Sequence, residues 1–382
     1  MYNRNTRHND SIWMTATLCA IVFIAFSMLW LGRFQADLLF LRVEAVFKGR
    51  YVYDTFWGAV AITSILLAFA LFICGLTRVK GRCYALNYLP SMACLAVLTD
   101  VGTEGNLTVM PAIWWYLLPV LFVVWLVLIV AAKNLNVPFS SFVTIGVRRV
   151  WVNLLLMVLM ALGVAWLSNT NAAMHYRTHI ERALMEQREE NVLVAGEESL
   201  EADASLTMLR AYVLSRKGEL GSQLFRFPVV GTSEDLLPLG GNSLTLAYPV
   251  DSIYRNLGPI PKGIATTHEY LHELESQHRG SIAVADYKLC GWLIDRDIDS
   301  FAKNISKYYS VNDSLPRYYR EALVLYTHMR STPVLVYHDT VMDVDYDDMR
   351  KLEDQYTDFT ERKVRVEEKY ADSYWFYFNY RR

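Results

Sequence analysis

FWGAVAITSILLAFALFICGL, residues 56–76, decides the fold class because these 21 residues include no charged side chain. A helix needs about 20 apolar residues to cross the hydrocarbon core of a bilayer. Lipid offers the backbone no hydrogen-bond partner, so such a stretch crosses as a helix. The stretch therefore predicts a membrane-spanning helix.

Four other stretches have the same character and lie in the same part of the chain. The five predicted spans are Ile12–Leu31, Phe56–Leu76, Cys83–Val101, Ala112–Ala132 and Val150–Leu167. The third is the weakest, since Asn87, Pro90 and Ser91 interrupt it and Asp100 lies at its end. If it enters the bilayer and returns on the same side, the number of crossings is four.

Basic residues in the short loops predict the orientation, because cytoplasmic loops carry an excess of lysine and arginine. With the N-terminus inside, the cytoplasmic side holds Arg4, Arg7, Arg78, Lys80, Arg82, Lys133, Arg148 and Arg149. The opposite side holds Arg33, Arg42, Lys48 and Arg50. Five crossings then place the C-terminal domain outside the cytoplasm, whereas four would place it inside.

Composition changes near residue 168, which predicts a membrane domain over residues 1–168 and a soluble domain over residues 169–382. Binding to nucleic acid needs a concentrated basic face, and the formal charge of −2 argues against one, so no nucleic-acid partner is expected. Cys290 is the one cysteine after residue 168, so the soluble domain has no internal disulfide. Its core has to stabilise it.

The stretch RFQADLLFLRVEAVFK after the first span has an amphipathic helical pattern. Phe34, Leu38, Leu41 and Ala45 share one stripe, with charged residues on the other face. Such a helix either lies in the membrane interface or packs on the other spans.

The soluble domain is predicted to be all-α, with helices in pairs. HYRTHIERALMEQREE and NVLVAGEESLE form a first pair, and DASLTMLRAYVLSRKG with ELGSQLFRF form a second, turning at Gly218. Residues 231–263 form a break rich in glycine and proline, and Asp313-Ser314-Leu315-Pro316 starts a later helix with a cap and an early proline. Helix pairs of this kind favour a tetratricopeptide-like helical repeat.

Several stretches also resemble an uncharacterised family of Bacteroidota membrane proteins: SLTMLRAYVLSRKGELGSQLF, YKLCGWLIDRDIDSFAKNISKYY, DSLPRYYREALVLY and SYWFYFNY. In that family, several membrane spans precede an extracytoplasmic helical-repeat domain. The resemblance implies an architecture, an inner membrane and a periplasmic domain, but no active site.

His268-Glu269-Tyr270-Leu271-His272 is an H-E-x-x-H sequence, which in zinc proteases places two ligands and a general base on one helix face. His278 occupies the position of a third metzincin ligand. However, Glu275 stands where metzincins have a turn glycine. On a straight helix His278 would lie about 280° around the axis from His268.

A capped surface helix explains the same residues. Thr266 would be the N-cap, and Glu269 would reach back to the backbone N–H of Thr266. Tyr270, Leu271 and Leu274 would then form the buried stripe, with His272 and Glu275 facing water. We expect this second arrangement, and therefore no metal ligand, cofactor or catalytic residue here.

Two acidic runs resemble incomplete calcium loops. Asp343 to Asp348 has the D-x-D-x-D start of an EF-hand, with Asp348 in place of the turn glycine and Asp354 at the twelfth position. Asp295, Asp297 and Asp299 show the same D-x-D-x-D start, but the twelfth position of this run is Ser306. Acidic residues are also favoured at the start of a helix by its dipole, which is the expected explanation for Asp345 to Asp348.

The most unusual composition is the closing Tyr374-Trp375-Phe376-Tyr377-Phe378-Asn379-Tyr380. These rings are expected to pack the core, since aromatic side chains dominate cores. The alternatives are a partner-docking patch or contact with the membrane interface. The whole sequence predicts a non-enzymatic membrane protein whose periplasmic helical domain binds an unidentified protein, with a zinc hydrolase using His268, Glu269 and His272 as the alternative.

Overall fold

A computed structural model describes residues 2–48, 53–79, 83–100, 107, 110–134, 142–188, 192–193 and 201–381. These residues form helices and no strand, which confirms the all-α prediction. The chain divides into two compact units, Met1–Asn171 and Ala172–Arg382.

The first unit is a bundle of long apolar helices. Its helices are α1 (Tyr2–Leu29, continued by a π-turn Trp30–Phe34), α2 (Ala36–Phe47), α3 (Thr55–Thr77), α4 (Leu89–Thr99, preceded by a 3-10 turn Tyr84–Tyr88), α5 (Ile113–Asn134) and α6 (Phe142–Leu167). Within the described residues, four stretches are long and apolar enough to cross a membrane: Trp13–Phe34, Thr55–Thr77, Ile113–Asn134 and Arg149–Leu167.

The third predicted span is a shorter apolar helix, Tyr84–Thr99. Its 3-10 start is supported by the fully buried Asn87, whose side-chain amide donates to the carbonyl of Tyr84 (2.8 Å) and accepts from the Thr77 hydroxyl (2.6 Å). Asn153 on α6 accepts the backbone N–H of Ala85 at 2.8 Å. Polar side chains thus satisfy a backbone that a regular span would satisfy internally. The number of crossings stays a prediction.

The amphipathic stretch after the first span forms α2. Leu38, Leu39 and Leu41 are buried, and Leu39 belongs to the same apolar cluster as the spans. Arg42 donates to the carbonyl of Leu98 at 2.9 Å, near the end of α4. Phe34 is exposed, so it lies outside the buried stripe. Helix α2 therefore packs against the bundle, which is the second of the two alternatives.

The second unit contains eleven helices among its described residues: α7 (Ala172–Met185), α8 (Ala204–Lys217), α9 (Leu220–Gln223), α10 (Val250–Leu257), α11 (Thr267–Ser276), α12 (Ala283–Ile294), α13 (Ile298–Tyr308), α14 (Arg317–Met329), α15 (Thr340–Asp354), α16 (Phe359–Tyr370) and α17 (Tyr374–Tyr380). From α11 to α17, each helix packs against the next, and α17 also returns to α14. One continuous apolar core links α7 to α17.

Local signals in this unit were partly correct. Gly218 ends α8 with a φ of 70°, as the predicted turn requires. Helix α14 starts at Arg317 after Pro316, without a side-chain cap, so the predicted cap at Asp313 or Ser314 is wrong. The glycine-rich break contains α10 and a 3-10 turn, Ser233–Leu236. Most of NVLVAGEESLE lies outside the described residues.

A buried carboxylate fixes the loop between the 3-10 turn and α10. Glu181 on α7 is fully buried and accepts the backbone N–H groups of Leu246 (2.8 Å), Ala247 (2.8 Å) and Tyr248 (2.9 Å). Arg177, one turn earlier, forms an ion pair with it at 3.5 Å. Burial raises the pKa of Glu181, and the three N–H groups and Arg177 reduce this rise without cancelling it. The carboxylate thus ties an irregular loop to the first helix of the unit.

Candidate functional site

The H-E-x-x-H sequence lies in the first two turns of α11. Tyr270, Leu271 and Leu274 are buried, as predicted for the inner stripe of this helix. His268, Glu269 and His272 are exposed. The hydrophobic spacing, rather than metal binding, accounts for the orientation of the helix.

The predicted capping box is half correct. The Thr266 hydroxyl accepts the N–H of Glu269 at 3.2 Å, which makes Thr266 the N-cap. The reciprocal bond predicted from the Thr266 N–H to Glu269 is not formed, and the carboxylate of Glu234 instead accepts the N–H groups of the first two helical residues, Thr267 (2.7 Å) and His268 (3.3 Å). An acid on another element can serve here, because unpaired N–H groups at a helix start donate to any well-placed carboxylate.

The third histidine of the motif lies beyond the end of the helix. Helix α11 stops at Ser276, and His278 adopts a left-handed φ of 52°. The chain therefore turns here without a glycine. Among the described residues, no group of three His, Cys, Asp or Glu side chains could hold a metal ion. The structure does not bring His268, His272 and His278 into one ligand set.

A cleft of about 690 Å³ lies beside the start of α11, and its acidic residues are largely engaged in helix capping. Glu234 caps α11 as described, and Asp297 caps α13 by accepting the N–H of Ser300 at 3.0 Å. Asp295 accepts the N–H of Ser233 at 2.9 Å and also the hydroxyl of Ser233. These contacts hold three elements together, so the carboxylates serve the fold.

Glu275, predicted to face water, forms an ion-pair network instead. Lys288, Lys307 and the Tyr308 hydroxyl all donate to its carboxylate. Partial burial raises the pKa of Glu275, but these donors outweigh it and lower the pKa to about 2. The network links α11 to α12 and α13.

Neither acidic run forms a calcium loop. Asp343 to Asp348 lies inside α15, where a helical backbone cannot fold around an ion. Asp339 is the N-cap, accepting the N–H groups of Val341 (3.0 Å) and Met342 (3.1 Å). Asp295 and Asp297 lie in the connection between α12 and α13, and Asp299 lies in the first turn of α13. The helix-start explanation expected for Asp345 to Asp348 is wrong, because these residues lie beyond the first turn of α15, whereas Asp297 and Asp339 do cap helix starts.

Buried acids join helices that are distant in sequence. Glu321 on α14 accepts from Arg317 at 2.7 Å and from the N–H of Tyr374 at 2.6 Å. Burial raises the pKa of Glu321 to about 7, against the lowering effect of Arg317 and the Tyr374 N–H. Asp286 accepts the hydroxyls of Tyr309 (2.7 Å) and Tyr319 (2.8 Å), and burial raises its pKa too. Apart from the i,i+4 pair of Arg317 with Glu321, nothing local in the sequence indicates these pairings.

The aromatic segment forms α17 and fills the core. Tyr374, Trp375, Phe376, Tyr377 and Tyr380 are all buried. The indole of Trp375 donates to the carbonyl of Glu321 at 2.8 Å, and its ring meets that of Tyr346 at 5.4 Å. The core prediction is confirmed, and these rings offer no docking patch.

Exposed apolar side chains are concentrated elsewhere, on and before α15. Val334, Val336, Val341 and Val344, named here the valine strip, have exposed fractions of 71%, 57%, 69% and 57%. Met329, at the end of α14, is 44% exposed. A single exposed apolar residue is ordinary, but five within sixteen consecutive residues make this segment a candidate interaction surface.

Contacts at the start of α15 hold the strip in place. Asp343 accepts the N–H of Asp339 at 3.1 Å and bonds to His338 (3.2 Å) and His328 (3.1 Å). The N–H of Tyr337 donates to the Thr327 hydroxyl at 3.2 Å, which fixes the preceding extended segment to α14. Valines alternate with inward residues in PVLVY, a pattern that separates two faces of this segment without indicating which of them is exposed.

Residues 262–381 match the model of a family of unknown function, DUF6057. The match covers about a third of the chain and includes the helices α11 to α17 with the valine strip. No curated protein and no solved structure matches the chain. The predicted resemblance is therefore supported as far as an uncharacterised family and an all-helical architecture.

Proposed function

We propose that this chain is a membrane-anchored binding protein whose C-terminal helical unit holds another protein at the valine strip. The observation that carries the proposal is the concentration of exposed valines beside a rigidly held helix start. Consecutive helix packing from α11 to α17 resembles a tetratricopeptide-like array, and such arrays offer extended faces to partners.

The chemistry-bearing residues support binding rather than catalysis. Glu234, Asp295, Asp297 and Glu321 each satisfy backbone or side-chain donors of neighbouring elements. His268 and His272 lie exposed on a helix whose position is explained by its apolar stripe. No described arrangement favours the zinc-hydrolase alternative over this explanation.

The proposed location is the inner membrane of a Gram-negative bacterium, with the N-terminus in the cytoplasm and the C-terminal unit in the periplasm. The excess of basic residues on one set of loops supports it, together with the family resemblance. The proposal requires the short helix Tyr84–Thr99 to cross with the four longer ones. Alkaline phosphatase fused after Arg382 should be active and a cytoplasmic reporter inactive, and the reverse result would refute the periplasmic location.

Site-specific photo-crosslinking tests the binding function in cells. A photoreactive amino acid at Val341 should yield one discrete adduct that is larger than the chain and contains a different protein. The matched control is Val364 on α16, which is 49% exposed but outside the strip. Equal adducts at both positions, or none at Val341, would overturn the proposed surface.

A further inference from the structure

Resting on the proposed function, we infer that the occupant of the valine strip is a basic amphipathic protein segment. The inference starts from the exposed face of α15. Val341, Val344, Asp345 and Asp348 are spaced at i, i+3, i+4 and i+7, so they form one stripe along the helix. All four are exposed. The stripe therefore presents apolar and acidic groups side by side.

The negative charge of this segment is only partly neutralised within the unit. Residues 339–354 contain seven acidic and two basic side chains. Arg320 pairs with Asp339 at 3.0 Å, Arg350 pairs with Glu353 at 2.6 Å, and Lys351 pairs with Asp348 at 2.8 Å. In the described part of the chain, no ion pair involves Asp345 or Asp347.

A cleft beside the stripe provides room for a long basic side chain. Val341 and Asp345 line one side of this cleft, which has a volume of about 860 Å³. The cleft is lined by five acidic side chains, Asp313, Glu321, Asp339, Asp345 and Asp372, and by three basic ones, Arg317, Arg320 and Lys369. Arg317 is paired with Glu321 and Asp372, and Arg320 is paired with Asp339, so acidic charge remains in excess. A lysine or arginine could lay its apolar stem on Val341 and its charge near Asp345.

The same charge pattern disfavours the other occupants. A second copy of the chain, meeting strip to strip, would oppose acidic groups with acidic groups. An anionic lipid surface would repel the stripe as well. A helix with leucines on one face and lysine or arginine on its flanks matches both the valines and the carboxylates.

Two designed peptides test the inference on the full chain in nanodiscs of phosphatidylcholine. Each is a fluorescent helix of about 18 residues, or five turns, with the same leucine face. One carries lysine on its flanks and the other glutamate, and anisotropy gives the affinity of each after subtraction of empty nanodiscs. At about 50 mM salt, the lysine peptide should bind about tenfold tighter, and about 500 mM salt should remove most of that preference.

Two double variants locate the effect. Asp345→Asn with Asp347→Asn should bring the affinity ratio of the two peptides close to one. Val341→Ser with Val344→Ser should weaken both peptides by about tenfold or more. The control, Glu269→Gln with Glu273→Gln, neutralises two exposed acids on α11. It should change neither the affinity ratio of the two peptides nor their individual affinities.

The outcomes separate this inference from the proposed function. Equal affinity for both peptides, or a lysine preference that survives Asp345→Asn with Asp347→Asn, would overturn the basic occupant. A crosslink from Val341 to a different protein would in that case leave the binding function standing. An adduct at twice the mass of the chain would identify a second copy instead and would also refute the inference.

Discussion

Replacing Trp375 with alanine should destabilise the C-terminal unit by about 4 kcal/mol. The ring is 3% exposed and packs edge-on against Tyr346, and large-to-alanine changes of buried aromatic residues cost about 3–5 kcal/mol. The lost indole donor also leaves the carbonyl of Glu321 without this partner, which costs about 1 kcal/mol within that range. For a unit of this length, about 2–4 °C per kcal/mol gives a fall in Tm of about 8–16 °C.

Cys290 provides the assay for this change within the full chain. Its thiol is fully buried beside the Tyr319 hydroxyl, and burial raises its pKa. A buried thiol is inert until the surrounding structure opens. Detergent-solubilised protein would be heated, pulsed with a maleimide and digested, and mass spectrometry of the peptide containing Cys290 would report opening of this unit alone.

The matched control is Phe359→Ala, which also deletes an aromatic ring, but one that is 57% exposed. This variant should shift the labelling midpoint by a few degrees at most. If Trp375→Ala and Phe359→Ala label Cys290 at the same temperature as the parent, α17 does not close the core and the assignment of its rings is wrong.

Three further outcomes are expected. The pKa of Glu321 is about 7 in the folded protein and near 4.5 in the unfolded chain. The free energy of unfolding should therefore fall by up to about 3 kcal/mol as pH rises from 4.5 to 7. In denaturant titrations, Glu321→Gln should reduce this dependence on pH. Glu181→Ala should speed amide hydrogen exchange at residues 246–248 by removing the acceptor of three N–H groups, whereas unchanged exchange would contradict the tie. Elemental analysis should find no stoichiometric zinc, and about one zinc per chain, lost with His268→Ala and His272→Ala, would restore the hydrolase alternative.

Periodic features of the sequence predicted the helices well. Charge-free runs indicated the long apolar helices, and the spacing of Tyr270, Leu271 and Leu274 indicated the inner face of α11. Gly218 marked the end of α8 because a left-handed backbone favours glycine. These features are local, so a single stretch of chain contains the necessary information.

Contacts across long sequence separations were not predictable in the same way. Glu234 reaches the start of α11 from 33 residues away, and Glu181 reaches its loop from 65 or more. From the sequence alone, the nearby Glu269 fits the capping pattern as well as Glu234 does. Only the tertiary arrangement decides which carboxylate meets the helix start. The valine strip was missed for a related reason, since exposure depends on which faces the neighbouring helices cover.

The packing of α17 against α14 has a consequence for the order in which this protein is synthesised and folded. Glu321 leaves the ribosome 53 residues ahead of Tyr374, whose backbone N–H it will accept. At common rates of translation, this separation lasts about 3–10 s. During that time the carboxylate has Arg317 beside it but lacks its partner on α17, and the cavity for Trp375 stands open. The C-terminal unit can therefore finish folding only after nearly all of it has been synthesised.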